Sequence, residues 1–384
     1  MNMEKQITYG MVGGDIKAFI GEVHRKALNF DTRVKLVSGC FSIDKDLNYE
    51  TAAAYSVDPS RVYEDFKEMA RVESTKENPI DFVVITTPNH LHYAISKAFL
   101  EAGINVVCEK PLCFTLEEAQ ELQHLVESKD LLFGLTYTYT GFAMAKVMKQ
   151  IVENGEIGEV ISVNGEYSQE WLIDELDATA SATSKLSGWR TDPEIAGISN
   201  CVGDIGTHIE CLVGYVTGLK IKRLLATTDK FGQELDLNAN IIVEYENGAR
   251  GAYWTSQVAV GKLNGLAIRV YGTKGSLEWD QHYPDYVRFT PKGQAPQILS
   301  RGCGYITGDA AGYSRLPSGH PEGLVTAFAN IYKNFITAIE QKKAGEPISG
   351  NALDFPSVEE GFEAVKFVHA VIKSGNNDAS WVTL

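Results

Sequence analysis

Glu109-Lys110-Pro111 places a primary amine where an apolar run, Gly103-Ile104-Asn105-Val106-Val107, stops and the chain turns. The run reads as a short buried strand, and Pro111 biases Lys110 toward extended backbone. In an open α/β sheet, ligands bind beyond the carboxyl ends of the strands. An amine there can stabilise an alkoxide or polarise a carbonyl; alone, such a lysine is more often an ordinary surface residue. Further on, Gly203-Asp204-Ile205-Gly206-Thr207-His208 reads as helical, with Asp204 and His208 at i and i+4 on one face. A carboxylate beside an imidazole orients it and raises its basicity, which suits it to accept a hydroxyl proton. A purely structural i,i+4 pair is the plainer alternative.

Three further constellations suggest what these groups act with. Gly10-Met-Val-Gly13-Gly14-Asp15 lies between an apolar strand and a helix. Glycines at such a turn let backbone amides approach a pyrophosphate at a helix N-terminus. The usual Gly-x-Gly-x-x-Gly spacing is not met, and Asp15 stands where a glycine is expected. At the end of the second strand, where an acid often takes the ribose hydroxyls of NAD, the chain carries Phe41 and Ser42. No arginine replaces the acid, so NAD is favoured and NADP stays open. Thr87-Pro88-Asn89 and His92 follow a third strand, where small hydroxyl residues and a proline let a flat ring pass close to the backbone; Asn89 as a plain helix cap is the alternative. Tyr137, Tyr139, Trp171, Trp189 and Arg190 add aromatic faces and a cation of the kind sugar sites use, with core packing an equal reading for each tyrosine.

The elements that must position these groups fall into two patterns. Through about residue 135, short β runs (7–12, 34–41, 81–86, 104–108 and 131–136) alternate with helical stretches, including 90–102 and one opened by the Thr115-x-x-Glu118 capping box. Alternation of this kind implies a doubly wound parallel sheet. After about residue 155, a helix over 201–216 precedes strand runs at 240–245, 250–256, 266–271 and 276–279. The turns between them are Glu246-Asn247-Gly248 and Gly272-Thr273-Lys274-Gly275. That pattern predicts an α+β domain with a mainly antiparallel sheet, followed by a Gly-rich loop over 302–319 and helices over 321–341 and 357–374. The expected division is residues 1–135 for dinucleotide and 136–384 for substrate and oligomer contacts.

Composition sets outer bounds. The 384 residues are 44% hydrophobic and 22% charged, with a net charge of −15. That balance argues against nucleic acid or an anionic membrane as partner. No apolar run reaches a membrane span, and the first residues lack a signal-peptide pattern, so a cytoplasmic location is expected. The six cysteines, at 40, 108, 113, 201, 211 and 303, form no Cys-x-x-Cys pair; no metal site is expected.

In this order, the Gly-rich turn, Thr86-Thr87-Pro88-Asn89-His90-Leu91-His92, Glu109-Lys110-Pro111, Trp189-Arg190 and Gly203-Asp204-Ile205-Gly206-Thr207-His208 make the chain resemble the Gfo/Idh/MocA family of sugar and cyclitol oxidoreductases. The resemblance covers nearly the whole chain. It implies an N-terminal Rossmann domain and a C-terminal α+β domain with a large open sheet that often mediates dimers or tetramers. Lys110 matches the family's catalytic lysine, and Asp204 and His208 match its substrate-site acid and histidine. Gly13, Gly14, Asp15, Phe41, Ser42, Thr87, Pro88, Asn89, His92, Glu109 and Lys110 fall where the cofactor is expected. Tyr137, Tyr139, Trp171, Trp189, Arg190, Asp204 and His208 fall where substrate is expected. The implied activity is NAD(P)-dependent oxidation of a secondary hydroxyl of a sugar, glycoside or cyclitol, in the style of members acting at C3 of glucosides or on levoglucosan. A redox-neutral NAD-dependent glycosidase and a non-catalytic dinucleotide-binding regulator are the alternatives.

Overall fold

A computed structural model describes residues 6–176 and 192–384. The chain opens with β1 (Ile7–Gly13), α1 (Phe19–Asn29), β2 (Val34–Cys40), α2 (Lys45–Ala54), α3 (Phe66–Ser74), β3 (Phe82–Thr86), α4 (His92–Glu101), β4 (Asn105–Cys108), α5 (Leu116–Ser128) and β5 (Phe133–Leu135). It continues with α6 (Ala143–Glu153), β6 (Val160–Ser168), α7 (Pro193–Ala196), a π-helical turn (Val202–Gly206), α8 (Thr207–Thr217), β7 (Ile221–Asp229), β8 (Asn238–Tyr245) and β9 (Arg250–Ser256). Then come β10 (Gly265–Gly272), β11 (Gly275–Asp280), β12 (Tyr286–Pro291), β13 (Gln297–Ser300), α9 (Leu324–Lys343), α10 (Val358–Gly375) and β14 (Val382–Thr383).

The chain forms two compact units. The first takes the residues up to Gly141 together with Leu324–Phe362; the second takes Phe142–Gly323 with Glu363–Leu384. The late segment 324–362 thus rejoins the N-terminal one, a return that a single boundary at 135/136 does not describe.

In the first unit, five strands pair in parallel in the order β2-β1-β3-β4-β5. A one-residue parallel bridge, Gly39 to Val62, extends the sheet beyond β2. β3 is buried along its length, as expected of a strand covered on both faces. α5 carries the expected capping box: the Thr115 hydroxyl accepts from Glu118 N, and the Glu118 carboxylate accepts from Thr115 N. α9 packs against α1, and Phe335 sits edge-on to both Phe82 and Phe355. Phe82, Phe328, Tyr332 and Phe335 are almost fully buried, which makes the late helix part of this unit's core.

The second unit holds nine strands in the order β13-β12-β11-β10-β6-β9-β8-β7-β14. All neighbours are antiparallel except β6 and β9, which pair in parallel. α8 packs on β6 and β10 and against α6. Segment 301–323 is tied down by a buried cation. Arg301, 3% exposed, pairs with Asp285 at 2.6 Å and with Glu322 at 2.7 Å, and it donates to the carbonyls of Leu316 and His320. Glu322 in turn accepts from the backbone amides of Arg315 and Leu316 at 2.6 and 2.7 Å. No helix among the described residues is long and apolar enough to cross a membrane.

Candidate functional site

The strand order reverses direction between β1 and β3, and in open α/β sheets such a switch point opens the ligand crevice at the carboxyl ends. Two predicted groups flank it. After β1, Gly13 and Gly14 adopt φ of 78° and 72°, a region that costs other residues steric strain. A Cβ on Gly14 would lie 2.8 Å from Thr86 Oγ1, 2.9 Å from Met11 Sδ and 3.1 Å from Gly21 Cα. Gly21 is equally confined: its Cβ would meet Gly14 Cα at 2.4 Å. Glycine at both positions therefore lets the turn and α1 lie backbone against backbone. After β3, the Thr87 hydroxyl oxygen is buried with no hydrogen-bond partner. A glycine cradle and a buried, unbonded hydroxyl at one switch point fit a dinucleotide. Gly14→Ala is expected to cost about 1–3 kcal/mol of unfolding free energy, read by denaturant titration, and to weaken NAD+ binding. Wild-type values for both would mean that the turn relaxes without consequence.

The neighbouring predictions resolve unevenly. Asp15 folds its carboxylate back onto its own turn, where Oδ1 accepts from Lys17 N at 2.8 Å. Phe41 is 1% exposed and stands edge-on to Tyr55; its ring is core, which leaves only its backbone to a cofactor. The Ser42 hydroxyl accepts from Asp44 N at 3.2 Å, and Asp44 caps α2. Pro88 is exposed just before a short 3₁₀ turn that half-buried Asn89 opens, and Asn89 makes no side-chain cap of the kind its position suggested. His92 is fully buried, with Nδ1 2.6 Å from the Pro111 carbonyl oxygen and Nε2 2.9 Å from that of Thr87.

At the end of β4, Glu109 and Lys110 are half-buried, and the Lys110–Pro111 peptide bond is cis. Glu109 Oε1 lies 2.8 Å from His24 Nε2 and accepts from the Thr136 hydroxyl at 2.6 Å. Burial pushes this carboxyl up, but the bonds from His24 and Thr136 and the nearby Lys110 charge outweigh it, and the group stays below the usual glutamate range. A depressed carboxyl adds stability above its unfolded-state value and loses it as the pH falls through the folded one. The gap in melting temperature between wild type and Glu109→Gln is therefore expected to be widest near neutral pH and to close in acid. A gap independent of pH would show that the carboxylate charge contributes nothing there.

In the second unit, Asp204 sits inside the π-helical turn and His208 in the first turn of α8. Asp204 Oδ2 accepts from Gln257 Nε2 at 2.9 Å. The buried His208 ring tilts against Tyr167 at 5.8 Å. A buried carboxylate holds the start of the turn: Asp236 accepts from the amides of Asn200 at 3.0 Å and Val202 at 2.8 Å, and burial raises its proton affinity above the ordinary aspartate level. π turns insert a residue into a helix and often mark functional sites. Trp171 Nε1 donates to Gln169 at 2.9 Å. Tyr137 and Tyr139 are buried in the first unit at 1% and 5% exposure. Trp189 and Arg190 lie outside the described residues.

His24, Thr136, Asp236 and Gln257 are absent from the sequence-derived site. His24 had a faint signal, a histidine between the apolar Val23 and Ala27 on a buried helix face. Nothing local marks the others, whose partners are between about thirty and fifty residues away.

Comparison with known proteins adds an independent line. Residues 7–137 match a family described as an oxidoreductase family with an NAD-binding Rossmann fold. Residues 145–278 match the GFO/IDH/MocA C-terminal domain. The chain is 35% identical to the uncharacterized oxidoreductase YfiI of Bacillus subtilis, over 99% of this chain and 97% of that one. A crystal structure of an inositol dehydrogenase homologue from Azotobacter vinelandii, complexed with NAD+, superposes with a TM-score of 0.92 at 35% identity, covering 100% of this chain and 98% of that one. The levoglucosan dehydrogenase of Pseudarthrobacter phenanthrenivorans is 28% identical over 79% of this chain and 80% of its own length.

Proposed function

The chain belongs to the Gfo/Idh/MocA family of oxidoreductases with an NAD-binding Rossmann fold, and from that premise we propose that it oxidises a secondary hydroxyl of a sugar, glycoside or cyclitol with NAD+ as acceptor. The observation that carries this reading is the end of β4, where a half-buried lysine follows an ionised, hydrogen-bonded glutamate one strand beyond the switch point. The substrate class is supported by two relatives, the Azotobacter vinelandii homologue, whose structure has also been solved with NADH and myo-inositol, and levoglucosan dehydrogenase.

A bound NAD+ would supply the hydride acceptor. The chain's own residues hold the cofactor and handle the proton. Gly13, Gly14, Thr87 and Glu109 bind it; the Lys110 ammonium steadies the developing alkoxide; His208 takes the hydroxyl proton; and Asp204, fixed by Gln257, holds a neighbouring hydroxyl or the imidazole. Proton removal by a positioned group is typically worth about 10²–10⁴-fold in rate. The reading includes dinucleotide binding by the first unit, substrate contacts from the second, a homo-oligomer and a cytoplasmic location.

The test is a panel of sugars, glycosides and cyclitols, myo-inositol among them, run with NAD+ and with NADP+ while following absorbance of the reduced nicotinamide. Net NADH formation with at least one polyol supports the reading. Substrate cleavage without net NADH would replace it with redox-neutral glycoside hydrolysis, and NAD+ binding with no turnover across the panel would replace it with a regulator.

A further inference from the structure

Lys110 has one chain neighbour on each side, and each is held by a fully buried histidine from a different helix. His24 of α1 reaches Glu109 Oε1 through Nε2 at 2.8 Å, and its Nδ1 lies 2.5 Å from the Tyr332 hydroxyl on α9. His92 of α4 reaches the Pro111 carbonyl oxygen through Nδ1 at 2.6 Å and the Thr87 carbonyl oxygen through Nε2 at 2.9 Å. Both histidines are 0% exposed. The carbonyl and carboxylate partners fix the direction of their bonds. A carboxylate or a carbonyl only accepts, so a ring nitrogen bonded to one is the donor, and a neutral ring has a single N–H to give. His24 as the neutral ring donates Nε2–H to Glu109 and accepts the Tyr332 O–H at Nδ1, which satisfies every atom. His92 faces two acceptors, and burial lowers its proton affinity, so its single N–H goes to the nearer one, the Pro111 carbonyl oxygen, which anchors the residue after Lys110 to α4. Tyr332 is 1% exposed, so the His24 chain ends inside the core and carries no proton to solvent. Its role is anchorage.

We propose that His24 and His92 are positioning residues that clamp the Glu-Lys-Pro turn from both sides, His24 through the Glu109 carboxylate and His92 through the Pro111 carbonyl, so that Lys110 projects from a turn held at both neighbouring residues. The two clamps start from independent helices: α1 is brought in by the Gly14–Gly21 contact, and α4 begins at His92 itself. A reacting amine on an unsecured turn would sample many placements, and misplacement by about 1 Å can cost about 100-fold in rate. The inference rests on the reading of Lys110 as the amine that acts on substrate.

The test uses the full chain and two substitutions at each histidine. His24→Leu and His92→Leu remove the donor. His24→Gln restores an amide N–H near the position of Nε2, and His92→Asn restores one near the position of Nδ1. The readouts are kcat and KM with the most active polyol of the panel, Kd for NAD+ by fluorescence titration, melting temperature, and acetylation of Lys110 by acetic anhydride followed by mass spectrometry. The leucine variants are expected to lose about 100-fold in kcat, a larger factor than any weakening of NAD+ binding through the loosened Glu109 or Thr87, and to change the rate at which Lys110 is acetylated. The amide variants are expected to recover most of both.

Leucine variants with wild-type kcat and wild-type Lys110 acetylation overturn the clamp. So does a loss of kcat that follows melting temperature alike in leucine and amide variants, since that is what a purely structural histidine gives. Should the leucine variants fail to fold, His92→Gln decides, because it offers a donor toward Thr87 and none toward Pro111: full activity overturns the clamp, and a fall in kcat larger than any change in Kd for NAD+ supports it. A Lys110→Ala enzyme with normal turnover overturns the underlying reading, whereas wild-type histidine variants beside an inactive Lys110→Ala overturn the clamp alone.

Discussion

Replacing Lys110 by alanine is expected to lower kcat on the best polyol of the panel by about 10²–10⁴-fold, with NAD+ affinity close to wild type. The half-buried amine stands at the carboxyl end of β4, while the glycine cradle after β1 is intact in the variant. Losing an interaction made only as charge develops lowers kcat and kcat/KM together. Lys110→Arg separates two roles for the same charge. Guanidinium remains protonated and can stabilise an alkoxide, yet it cannot pass a proton on. Substantial activity in Lys110→Arg would assign the lysine to charge stabilisation; activity as low as in the alanine variant would assign it to proton transfer or to a shape that only ammonium fits. Turnover by Lys110→Ala within tenfold of wild type would remove the lysine from the reaction.

The second large effect is on stability. Arg301→Met is expected to cost about 3–5 kcal/mol in unfolding free energy, the usual consequence of leaving a buried charge without its partner. The side chain is almost wholly enclosed and serves two carboxylates and two carbonyls at once. Its removal strands Asp285 and Glu322 together, with the Glu322 side chain only 4% exposed. The mechanism implies a compensation: adding Asp285→Asn and Glu322→Gln to Arg301→Met should regain part of the loss, because no uncompensated charge remains. Urea titration of the single and triple variants checks both. A loss below about 1 kcal/mol, the value of an exposed ion pair, would show that segment 301–323 is held by its packing.

Much of this was legible in the sequence where the signal is local. The five parallel strands of the first unit came from apolar runs bounded by turn residues, and the start of α5 from a capping box whose bonds lie within four residues. The Glu-Lys-Pro turn was found because strand, turn and amine are contiguous. What was missed depends on distance or on backbone detail. The stretch 201–216 reads as one α-helix, yet Val202–Gly206 is a π turn. From outside the helix, Asp236 accepts the amides of Asn200 and Val202 at its start. Phe41 looked like a ribose contact because of its place after β2. Its ring turns inward because Gly39 leaves it room, since a Cβ on Gly39 would meet that ring at 2.0 Å. β7 carries a weak alternation and a lysine–arginine pair, and only its pairing with β8 and β14 reveals it. His24 became conspicuous once α9 supplied Tyr332 from more than three hundred residues away.

The return of 324–362 into the first unit has a consequence for biosynthesis. A ribosome has released the whole parallel sheet by Leu135, but α9, with the phenylalanines that close its core and the tyrosine that bonds His24, is among the last segments made. The nucleotide-binding half must therefore wait, with apolar surface uncovered, while almost all of the other half is translated. Cutting the gene after codon 141 would yield an unfinished fragment, and a minimal version of this unit has to be spliced from residues 1–141 and 324–362.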